Sequence, residues 1–111
     1  MSATVWRRQR AWLAAPLLAA CVGEAAPAAR TVHAELRALA FAPDSLRVAV
    51  GDTIIWTNHD LVPHTITAEG AGPASPTVPA GGSYTWVVGT KASVRLTCQF
   101  HPAMRAVVDA R

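Results

Sequence analysis

From Thr31 onward the chain sets apolar against polar residues in short alternating runs broken by Gly, Pro and Asp, and no segment there carries a helical stripe. A period of two puts successive side chains on opposite faces of an extended strand, so this half-buried pattern points to an all-β sandwich. Val32, Ala34, Leu36 and Ala38 share one face of the first run, and Thr31, His33, Glu35 and Arg37 the other. Leu46, Val48 and Val50 alternate with Arg47 and Ala49, after which Gly51-Asp52 turns the chain into Thr53-Ile54-Ile55-Trp56-Thr57. A loop with Pro63 leads into His64-Thr65-Ile66-Thr67-Ala68, residues 70–82 are rich in turn formers, and Tyr84, Trp86 and Val88 form a further face. Val94, Leu96 and Cys98 lie opposite Ser93, Arg95 and Thr97, which aims the Cys98 sulfur inward at the end of a strand. Val107 and Val108 predict a short closing strand, and Trp56 and Trp86 are expected as core aromatics.

What precedes Thr31 is of a different kind. A basic stretch through Arg10, an apolar run from Ala11 to Ala20 and small residues beyond it make residues 1–20 a secretory signal, too short in its apolar part to span a bilayer. Leu18-Ala19-Ala20-Cys21 resembles a bacterial lipobox, which would make Cys21 a lipidated N-terminal residue and a membrane tether; in the plain alternative Cys21 is removed by cleavage among Ala25 to Ala29. Residues 21–30 are Ala- and Pro-rich and read as a tether, leaving 31–111 as one domain. The whole chain of 111 residues excludes an enzyme with separate cofactor and substrate domains. Its net charge of +3 is misleading, because Arg7, Arg8 and Arg10 belong to the signal and the rest carries seven basic against seven acidic residues. Nothing in that balance indicates nucleic acid.

Export also isolates Cys98. The chain has two cysteines, and once Cys21 is lipidated or removed the other stands as a single thiol in an oxidising compartment, where something must occupy it. Residues 97–104 read Thr-Cys-Gln-Phe-His-Pro-Ala-Met, placing a thiolate, an imidazole and a thioether at Cys98-x2-His101-x2-Met104. Soft sulfur with imidazole selects copper over magnesium or calcium, and a His2Cys set with a weak axial Met is the donor set of electron-transfer copper sites. His64, held by Pro63, is the candidate for the second imidazole. Zinc accepts Cys and His as well, but structural zinc prefers more thiolates and catalytic zinc an open position, and Met104 suits neither. His33 falls on a polar strand face and His59 in a loop, and both are expected at the surface.

The stretch from Phe41-x-Pro43 through Leu46-x-Val48-x3-Asp52-Thr53-Ile54-x-Trp56-x-Asn58, then Pro63-His64-Thr65 and Cys98-x2-His101-Pro102-x-Met104, resembles the plastocyanin, pseudoazurin and amicyanin group of cupredoxins. The two residues between His101 and Met104 make its ligand loop similar to the short amicyanin type, and the likeness covers Leu36 to Val108. It implies a Greek-key β-sandwich of about seven to eight strands, with His64, Cys98 and His101 as strong copper ligands and Met104 as the axial one. It further implies that Asn58 ties the His64 loop to the Cys98 loop, and that electrons pass through His101 to partners docking on a surface of Pro63, Pro102 and Ala103. Ala106 and Phe100 depart from the group's usual Gly and Pro.

The expected protein is thus an exported, periplasmic or extracytoplasmic blue copper carrier of single electrons, monomeric and not an enzyme. A copper-trafficking or storage protein is the alternative, although such proteins are often rich in exposed Met and His, and Met104 is the one methionine besides Met1.

Overall fold

The computed structural model describes residues 14–16 and 28–111. The expected signal, apart from 14–16, and Cys21 lie outside the described residues, as does most of the expected tether. Eight strands follow: β1 (Thr31–Arg37), β2 (Ala40–Ala42), β3 (Ser45–Val48), β4 (Thr53–Asn58), β5 (Thr67–Ala68), β6 (Ser83–Val87), β7 (Ala92–Thr97) and β8 (Arg105–Ala110). They form two four-stranded sheets, ordered β2-β1-β4-β6 and β3-β8-β7-β5. The β1–β4 and β3–β8 pairs are parallel and the other pairs antiparallel. Two parallel pairs joined through strands of the opposite sheet are Greek-key wiring, so the all-β sandwich expected from the sequence is the fold observed.

The core lies between the sheets, where the inward residues of β1, β4, β7 and β8 meet. Ile54 and Trp56 in β4, Leu36 in β1, Leu96 in β7 and Val108 in β8 are all fully buried. Strict alternation in β4 and β8 is the period-two pattern realised, since each inward residue is flanked by residues facing out. Burying side chains of this size removes enough apolar surface to contribute about 1.5–3 kcal/mol each. The Trp56 ring stacks on Tyr84 with centroids 6.5 Å apart. Trp86 is only partly buried because β6 is the sheet edge, and it packs against the core from there.

Three local expectations are corrected. The first strand stops at Arg37 instead of running through Ala38, because Ala38 and Leu39 take positive φ values of 51° and 57° and turn the chain into β2. Val50 likewise leaves the β3 face and is exposed beside Gly51, whose φ is 96°. Of residues 64–68 only Thr67 and Ala68 join a sheet, while His64 makes an isolated bridge with Val78. Asp52, expected as turn chemistry, is also a buried anchor whose carboxylate accepts the Arg30 and Ala49 amides. Those two backbone bonds hold its carboxyl below the usual carboxylate range.

Candidate metal centre

Cys98 follows directly on β7, and its side chain turns inward as the strand's alternation requires, with 1% of its surface exposed. The segment after it folds back tightly. His101 N donates to Cys98 O (3.3 Å), Met104 N to His101 O (2.9 Å) and Cys98 N to Met104 O (3.4 Å), so the three candidate donors sit on one closed loop before β8 begins. Met104 is 2% exposed and points into the core cluster, whereas His101 is half-buried.

His64 arrives from the other sheet's side of the sandwich. Its backbone exchanges two hydrogen bonds with Val78, at 3.1 and 2.7 Å, which fixes the ring in a fully buried position. There Nδ1 lies 3.8 Å from Cys98 Sγ, and the ring meets that of His101 edge-on with centroids 5.2 Å apart. The other nitrogen, Nε2, is 2.7 Å from Asp60 Oδ2. Among the described residues no three His, Cys, Asp or Glu side chains form a ready-made metal cluster; the donors meet in pairs.

The donor chemistry nevertheless fits one ion. With the metal–nitrogen and metal–sulfur lengths known for zinc, about 2.0 and 2.3 Å, and a trigonal or near-tetrahedral angle, a shared metal holds N and S about 3.5–3.7 Å apart. His64 Nδ1 and Cys98 Sγ, at 3.8 Å, are already close to that separation. Burial pushes the Cys98 thiol up, but hydrogen bonding, first of all from the Thr65 amide at 3.4 Å, leaves it below the ordinary thiol range. A sulfur that accepts an amide hydrogen bond is prepared to carry negative charge.

Two features were not read from the sequence. The link between the His64 and Cys98 segments is made by Thr65, whose N–H donates to Cys98 Sγ and whose Oγ1 accepts the Gln99 amide at 2.9 Å. Asn58, which the resemblance cast in that role, braces the His64 loop from within: its amide donates to Val62 O and Val78 O, and its Oδ1 accepts Asp60 N. Asp60, in turn, bonds the buried His64 ring. Its place in the Asn58-His59-Asp60 turn, four residues before His64, is indistinguishable in sequence from ordinary turn chemistry. His33 is exposed as expected, and exposed His59 lies 3.4 Å from Glu35.

No protein-family model matches the sequence. Among solved structures, the purple cupredoxin from Nitrosopumilus maritimus is similar with a TM-score of 0.66 and 24% identity, over 72% of this chain and 99% of that one. A reduced variant of amicyanin matches with a TM-score of 0.66 and 26% identity, over 79% of this chain and 87% of that one. The copper-containing nitrite reductase from Thermus scotoductus SA-01 has a TM-score of 0.67 and 20% identity, over 73% of this chain. This chain spans only 22% of that reductase's length. Two facing four-stranded sheets with this wiring, and these neighbours, make the protein a cupredoxin in fold, with amicyanin among its structural neighbours.

Proposed function

We propose that the protein is an exported type 1 copper protein that carries single electrons, with His64, Cys98 and His101 as the strong ligands and Met104 as the axial one. The observation that carries this reading is the buried approach of His64 Nδ1 to Cys98 Sγ, 3.8 Å, with the His101 ring packed against that of His64. Among the structural neighbours, amicyanin is seen in a Cu(I) form and the nitrite reductase is copper-containing, and the donor set here suits the same metal.

Copper, when bound, supplies the one-electron Cu(I)/Cu(II) couple. The chain's contribution is to hold the donors still. His64 is pinned by Val78 and Asp60, and Cys98 by Thr65 and the closed loop to Met104. Donors that do not rearrange let an electron enter and leave at small cost. Cys98 is 1% exposed within the core cluster that also holds Leu96 and Met104, which keeps water from the sulfur.

His101 is the half-buried donor and therefore the electron's exit. On the loops that carry His64 and His101, Leu61 is 95% and Phe100 50% exposed, and Val62, Pro63, Pro102 and Ala103 are exposed with them. Such an apolar rim suits brief docking of redox partner proteins. The grooves of about 340 and 320 Å³ lie elsewhere, lined by residues such as Arg95 with Arg105 and Trp86 with Val94, away from the four donors. Export and membrane attachment through Cys21 complete the proposal, placing the carrier outside the cytoplasm as a monomer.

Cycling separates this reading from copper delivery. The copper-loaded domain should pass through repeated reduction and reoxidation beside a moderate Cu(I) chelator without losing metal. Stoichiometric transfer of copper to the chelator on the first reduction would establish a trafficking protein instead.

A further inference from the structure

We propose that Asp60 is the positioning residue of the buried His64, holding the ring in its Nε2–H tautomer with the Nδ1 lone pair directed at the metal position, and biasing the bound copper toward Cu(II) by its charge. This rests on the reading of His64 as a ligand. The Asp60 carboxylate faces three donors: Ala38 N at 2.7 Å, Leu39 N at 2.9 Å and His64 Nε2 at 2.7 Å. A carboxylate with two backbone amides on it is an acceptor, so the hydrogen of the third contact belongs to Nε2. In the neutral ring, the form that ligates a metal, that leaves Nδ1 bare, and Nδ1 is the atom facing Cys98 Sγ. A carboxylate behind a ligating imidazole also makes the ring a stronger electron donor, which favours the higher charge on the metal.

The carboxylate is itself held from two directions. Asp60 N donates to the Oδ1 of fully buried Asn58. On the other side, Ala38 and Leu39 occupy the left-handed region without being glycine, a strained conformation for an L side chain, and their amides converge on Asp60. The β1–β2 turn is thereby a fixed wall behind the ligand.

Because Asp60 serves both turn and ring, its substitution is best read in two backgrounds: the natural chain and an Ala38→Gly/Leu39→Gly chain, whose turn no longer depends on the carboxylate. Long-range ¹H–¹⁵N correlation on the copper-free protein should show His64 as a single Nε2–H tautomer. Asp60→Leu should convert it to a mixture in both backgrounds. In the copper-loaded protein Asp60→Asn should weaken Cu(II) binding by about 10- to 100-fold, weaken Cu(I) binding less, and so raise the reduction potential, again in both backgrounds. An unchanged tautomer and potential, or a shift that disappears in the double-glycine chain, would make Asp60 a turn anchor only and overturn the proposal. Failure of the ligand reading is seen separately, as copper and its colour retained in His64→Ala.

Discussion

At Cys98 the sulfur is buried yet accepts hydrogen bonds, first of all from the Thr65 amide. Each such bond stabilises thiolate charge. Met104, as the weak axial donor the proposed function makes it, would act in the opposite sense, lending electron density to a bound copper and favouring Cu(II). Replacing it with leucine, of similar volume and apolar, should keep the core packed and the three strong donors in place. The Met104→Leu protein is therefore expected to remain blue at one copper per chain with a higher reduction potential by voltammetry. An unchanged potential, or complete loss of copper, would remove Met104 from the axial position.

At the scale of elements, the site depends on strands that meet it end-on. β4 leads into the loop that carries Asp60 and His64, and β7 ends at Cys98, so register in both decides where the donors fall. Ile54, central in β4 and fully buried, has no room to be lost without a cavity. Ile54→Ala should cost about 2–5 kcal/mol in urea unfolding of the copper-free domain, while the copper-loaded spectrum below the transition stays that of the natural protein. A loss under about 1 kcal/mol would mean that β4 is not the packed centre. These strands were legible because period-two alternation is local: β4, β7 and β8 each show it, and Cys98 inherits its inward aim from Val94 and Leu96. The β1–β2 turn was not legible, because Ala38-Leu39 carries none of the Gly or Asn that normally announces positive φ. Its cause is Asp60, 21 and 22 residues away. The bracing roles of Thr65 and Asn58 were hidden for the same reason: a side-chain bond across 20 to 34 residues leaves no trace in spacing.

Over the whole molecule, the sequence already contained the donor set, since Cys98, His101 and Met104 lie on one short loop and only His64 had to be brought from afar. The sandwich does that with two bonds to Val78 and one contact to Cys98. Outside the signal the basic and acidic residues balance, so association with partners is expected to rest on the apolar rim around His101 more than on steering by net charge. All of this depends on one copper sharing Cys98 with its neighbours. The most direct measurement is the visible absorption of the domain, residues 28–111, titrated with Cu(II), beside its Cys98→Ala variant. The natural domain should develop an intense blue thiolate-to-copper charge-transfer band that saturates at one copper per chain, and the variant should show none; an equal band in Cys98→Ala, or no band in the natural domain at saturating copper, would contradict the account.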